Sequence, residues 1–94
     1  FGPVAPFIRV KDFEEAIEMA NATSYGLQAG IFTNDLEKAV RAAKQLQVGA
    51  VIVNDGPGFR AEHIPFGGVK DSGLGREGIK YAINEMTQLK TIVI

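Results

Sequence analysis

Leu27-Gln28-Ala29-Gly30-Ile31-Phe32, then Asp35-Leu36-Glu37-Lys38-Ala39-Val40-Arg41-Ala42-Ala43, then Ala50-Val51-Ile52-Val53: along this run the apolar pattern passes from strand to helix and back to strand. Leu36, Ala39, Val40, Ala43 and Leu46 recur at helical spacing. Asn34 or Asp35 stands where the helix needs an N-cap, and Gly49 follows as a stop. Ala50 to Val53 is a short, fully apolar strand. Upstream, Asp12-Phe13-Glu14-Glu15-Ala16-Ile17-Glu18-Met19-Ala20 repeats the helical pattern. Asp12 and Glu15 make a capping-box pair there. Phe13, Ala16, Ile17 and Ala20 form the apolar side, Glu14, Glu15 and Glu18 the other, and Ser24-Tyr25-Gly26 ends the helix. Val4 to Val10, opened by Pro3, reads as the strand before it. Two copies are too few for a solenoid. They read instead as two consecutive β–α units, which want a parallel crossover sheet.

Downstream, positions 54–75 hold two Pro and six Gly without periodicity, the mark of a long functional or disordered loop. Arg76 to Met86 returns to helical spacing through Ile79, Ala82, Ile83 and Met86. Leu89 to Ile94 is a β-branched terminal strand. The predicted class is therefore α/β: two β–α units, a third strand, a long loop, a helix and a terminal strand.

The composition is that of an ordinary globular chain: 94 residues, 46% hydrophobic and 22% charged. At this length there is one small domain at most, with a thin margin of stability. A formal net charge of −1 excludes the basic footprint of a nucleic-acid or anionic-membrane binder. No window approaches the ~18 apolar residues of a membrane span, and no secretory leader pattern is present. A start at Phe1 rather than Met predicts a fragment or processed product. With no cysteine, disulfides, cysteine-bound zinc and thiol catalysis are all excluded, and a reducing, cytoplasmic setting is expected.

The most specific stretch is Pro65-Phe66-Gly67-Gly68-Val69-Lys70-Asp71-Ser72-Gly73-Leu74-Gly75-Arg76-Glu77. Its small residues let the backbone approach other groups closely. Lys70, Arg76 and two acids can pin such a loop through charge-assisted hydrogen bonds. This run resembles the C-terminal signature of the NAD(P)-dependent aldehyde dehydrogenases. Phe1-Gly2-Pro3-Val4, Val53-Asn54 and the closing Thr87-Gln88-Leu89-Lys90-Thr91-Ile92-Val93-Ile94 match the same family in the same order. The resemblance spans the chain and corresponds to roughly the last fifth of a family member. It implies that 1–86 is the end of the catalytic domain and that 87–94 is an oligomerisation strand.

The resemblance also implies roles. Phe1 would lie beside the nicotinamide, as the one cofactor-binding residue. Phe59, Arg60 and Phe66 would line the substrate pocket, Phe66 beneath it and Arg60 in the entrance wall. There a guanidinium could clamp a carboxylate or phosphate in bidentate fashion; the plain reading makes it a solvated charge. The parent reaction would oxidise an aldehyde to a carboxylic acid, with attack by a Cys, hydride transfer to NAD or NADP, and hydrolysis by a Glu-activated water. The Cys and the Glu would both lie upstream. This chain would then hold no catalytic residue, no metal site and no bound cofactor, and would be inactive alone. Its partners would be the rest of its own enzyme, further copies through the last strand, and an aldehyde that could be anionic.

Other features read plainly. Gly73-Leu74-Gly75-Arg76-Glu77-Gly78 satisfies G-x-G-x-x-G, but lacks the apolar strand before it and the acid after it that a dinucleotide site needs. The glycines instead turn the loop into the last helix, with Glu77 near its positive end. Lys70 reads as a loop-fixing ion pair, His63 as a surface residue, and Asn21-Ala22-Thr23 as a chance sequon. Two rival classes stand beside the dehydrogenase: a free-standing β–α–β interaction module, and part of a related reductase acting on an acyl phosphate.

Overall fold

Helix α1 (Phe13–Asn21) opens the regular structure of the computed structural model, which describes residues 2–94. Asp12 is in extended conformation and its carboxylate accepts the Glu15 N–H at 2.9 Å, as a capping box requires. Glu15 answers by accepting from the Lys11 N–H at 2.6 Å, one residue before the cap. The short strands β1 (Tyr25–Gly26) and β2 (Gln28–Ile31) follow. Helix α2 (Leu36–Gln45) is capped by Asp35, which accepts the Lys38 N–H at 3.1 Å. Strand β3 (Ala50–Val53), strand β4 (Val69–Lys70) and helix α3 (Ile79–Met86) complete the order.

Strands β2 and β3 pair in parallel, from Gln28 opposite Ala50 to Ile31 opposite Val53, with α2 as the crossover. This is the β–α–β unit that the alternating pattern predicts, and the class is α/β. Asn21 ties the two helices at their ends: its amide donates to the Gln45 carbonyl at 2.9 Å and accepts the Gln47 N–H at 2.8 Å. Buried hydrophobic residues among the described ones are Ala39 and Ala42, both on α2.

Four expectations change. Val4 to Val10 forms no strand; Phe7 is 95% exposed and no ladder partner lies beside the segment. Pro3 and Pro6 also remove two N–H donors from any such ladder. Tyr25-Gly26 is more than a helix stop, because it pairs antiparallel with Val69 and Lys70 and fastens the long loop to the α1–β2 junction. Helix α3 starts at Ile79 rather than Arg76, since Gly78 has φ 122°, outside the range that a helix admits. The terminal segment Leu89–Ile94, expected as a strand, forms none here: it is exposed and pairs with no described strand.

Candidate functional site

The long loop is held at both ends. At its start, Asn54 N–H donates to the Ile31 carbonyl at 2.7 Å and the Asn54 side chain accepts the Thr33 N–H at 2.8 Å. At its far end, Gly67 passes so close to Gly49 that a Cβ on Gly49 would collide with the Gly67 carbonyl. Helix α2 already ends at Leu46, whose backbone is extended, so Gly49 is not the stop that the sequence suggests but the seat of the loop.

Around β4 the polar residues act as pins. Lys70 Nζ donates to the carbonyls of Asn21 (2.8 Å) and Thr23 (3.1 Å), at the C-terminal end of α1. That corrects the expected ion pair: the partners are carbonyls at a helix's negative end, where a cation is favoured. Ser72 Oγ accepts the Gly26 N–H at 2.8 Å. Arg76 Nη1 donates to the carbonyls of Gly68 (2.9 Å) and Gly75 (2.6 Å), closing the glycine-rich turn on itself.

Between these anchors, the loop brings three predicted substrate residues to one place. Phe59 is half-exposed, and its carbonyl accepts from Gln28 Nε2 at 3.0 Å, which binds the loop to the start of β2. Phe66 and Glu77 form an isolated antiparallel bridge, exchanging backbone hydrogen bonds of 3.1 and 2.6 Å. Arg60 lies over the Phe66 ring, its Cζ 4.6 Å from the centroid, and Arg60 Nη2 donates to Glu77 Oε2 at 2.8 Å. Phe59, Arg60 and Phe66 line a hollow of about 160 Å³ together with Gln28, Val51 and Ile64. A guanidinium set in an otherwise largely apolar wall can hold an anionic group and leave room for a carbon chain.

Glu77 escaped the sequence reading as a partner of Arg60. The two stand 17 positions apart, with no periodic relation, and only the Phe66–Glu77 bridge brings them together. His63 belongs to a second, wider hollow of about 620 Å³ along α3, which Arg60 does not line. The predicted cofactor residue, Phe1, lies outside the described residues. Gly73, Gly75 and Gly78 all have positive φ, as tight turns need. The space beside Gly75, however, is taken by the Glu85 carboxylate, whose Oε1 accepts the Arg76 N–H at 3.3 Å. A carboxylate there repels a pyrophosphate. The described glycine-rich turn does not fit a dinucleotide.

The profile of the aldehyde dehydrogenase family matches residues 1–92. The chain belongs to that family. It is 58% identical over all 94 residues to the lactaldehyde dehydrogenase of Methanococcus maripaludis strain C5, covering 20% of that protein. To the sulfoacetaldehyde dehydrogenase of Neptuniibacter caesariensis it is 57% identical over its whole length and 21% of the relative's. Among solved structures, it superposes on glyceraldehyde-3-phosphate dehydrogenase of Methanocaldococcus jannaschii, complexed with NADP, with a TM-score of 0.82 and 56% identity. That match covers 86% of this chain and 18% of the other. The chain therefore spans about a fifth of the length of the curated relatives it matches. No helix of the described residues is long and apolar enough to cross a membrane.

Proposed function

We propose that these residues are the pocket-wall and assembly portion of an enzyme that oxidises an aldehyde to a carboxylic acid with NAD or NADP. Residues 1–86 close the catalytic domain and 87–94 serve assembly. Phe59, Arg60 and Phe66 line the substrate entrance, with Arg60 as the clamp for an anionic substituent on the aldehyde. The observation that carries this reading is Arg60 held over Phe66 at the edge of the 160 Å³ hollow. The relatives lend it chemical sense, since sulfoacetaldehyde and glyceraldehyde 3-phosphate are both anionic aldehydes. The sequence has no cysteine, so a thiol nucleophile has to come from outside this chain; the general base is assigned there too. Phe1 is assigned to the nicotinamide side. The remaining cofactor contacts are assigned to the rest of the enzyme, because the glycine-rich turn offers no cradle.

Losing one charge-assisted contact costs roughly 1.5–3 kcal/mol. Arg60 is 47% exposed in its side chain, which brings the figure to the lower end through solvent screening. In the full-length enzyme, Arg60→Ala should therefore raise KM for an anionic aldehyde about tenfold and leave that of a neutral one of equal length nearly unchanged. The Glu77 pair favours a second reading, in which Arg60 only braces the loop. Equal effects on both substrates would be its signature and would end the clamp reading.

A further inference from the structure

We infer that Glu77 sets how strongly this pocket separates anionic from neutral aldehydes, by acting as the resident counter-ion of Arg60. The inference rests on the pocket-wall reading of Arg60 and adds to it a residue that tunes selectivity. Arg60 stands between two hollows. It lines the one of about 160 Å³ with Phe59 and Phe66, and it also lines one of about 270 Å³ that Glu77 and Glu62 share. Glu77 touches only the second. A substrate anion in the first hollow thus meets a guanidinium whose charge is already partly compensated from behind.

The pairing leaves capacity for such a ligand. A guanidinium has five N–H donors, and the side-chain bond recorded for Arg60 uses Nη2 alone. The guanidinium rests over the Phe66 ring, its Cζ 4.6 Å from the centroid. The Glu77 carboxylate is anchored through its backbone, which is bonded to Phe66 in both directions, so the counter-ion and the ring come as one unit. The unit holds the fork in place, and its negative charge works against the incoming anion. Orientation and charge are separable by chemistry: glutamine keeps a side-chain oxygen that accepts the Arg60 bond and removes the charge.

The test uses the full-length enzyme and two aldehydes of equal length, one ending in a carboxylate and one in the neutral amide. The readout is the ratio of their kcat/KM values, in which any change common to both substrates cancels. Glu77→Gln should raise the ratio in favour of the anion about two- to fivefold, the size set by one partly screened charge. The gain should shrink as salt is raised. In the Arg60→Ala background, Glu77→Gln should give no gain. Glu62→Gln removes a charge from the same hollow without touching the Arg60 bond, and should give a smaller rise.

An unchanged or lowered ratio in Glu77→Gln overturns the inference, as does an equal rise in Glu62→Gln. If that occurs while Arg60→Ala still discriminates between the substrates, the clamp stands and only the role of Glu77 is lost. If Arg60→Ala affects both aldehydes alike, the pocket-wall reading fails and takes this inference with it.

Discussion

Glu14 and Arg41 meet across the two helices: Arg41 Nη2 donates to Glu14 Oε1, and the same guanidinium lies over Phe13, its Cζ 4.9 Å from the ring centroid. The hydrogen bond from Arg41 is the main reason that the Glu14 carboxyl is held below its ordinary value of 4.5, with a smaller contribution from backbone hydrogen bonding. A carboxyl depressed in the folded state stabilises the fold above the unfolded value. That contribution is lost as pH falls from about 4.5 through the folded value. Carboxyl-carbon NMR should therefore record a Glu14 midpoint below 4.5 that returns to the ordinary range in Arg41→Ala. A midpoint indifferent to Arg41 would assign the shift to the backbone instead. The same pattern, an Arg fixed between a carboxylate and an aromatic ring, recurs at Arg60 with Glu77 and Phe66. It holds the α1–α2 contact in one place and the pocket wall in the other.

At the scale of elements, both long helices depend on an aspartate cap. Asp35→Ala removes the acceptor for the Lys38 N–H and should lower the stability of the chain by about 1 kcal/mol. Asp35→Asn, which keeps an acceptor oxygen, should restore most of it. Urea unfolding followed by far-UV circular dichroism gives the answer; an alanine variant with an unmoved midpoint would mean that α2 is held by packing alone. These caps, the α2 stripe and the β2–α2–β3 crossover were legible in the sequence because each is local or set by one period. Val4 to Val10 misled because an apolar run gives a strand only where another strand lies beside it. β1 and β4 are two residues each, too short for any period to register, and their pairing joins positions 43 and 45 residues apart only through the folded loop. At the site, Phe59, Arg60 and Phe66 could be named from the resemblance. Their meeting with Glu77 depended on a single backbone bridge between Phe66 and Glu77, and no spacing rule encodes such a bridge.

The whole molecule is expanded. Its radius of gyration is 16.9 Å, against about 13 Å for a compact chain of 100 residues. Leu89, Ile92, Val93 and Ile94 are all three-quarters or more exposed. An exposed, β-branched segment with only Lys90 as a charge carries free N–H and C=O groups that invite a neighbouring strand. The chain should therefore be a dimer or larger at tens of micromolar, and truncation after Gln88 should shift it towards monomer in light scattering. A monomeric parent, or an oligomer indifferent to the truncation, would remove 87–94 from assembly. A different consequence follows from the way the long loop is moored, at Asn54 on one side and at the Phe66–Glu77 bridge on the other. Between those moorings, residues 55–65 carry Phe59 and Arg60, while the β2–α2–β3 frame keeps its own register outside them. Lengthening such a span changes closure entropy only slowly. On the proposed reading of Phe59 and Arg60, it is an exchangeable cassette, in which a new tooth can be cut for a new substrate while the lock body stays as it is.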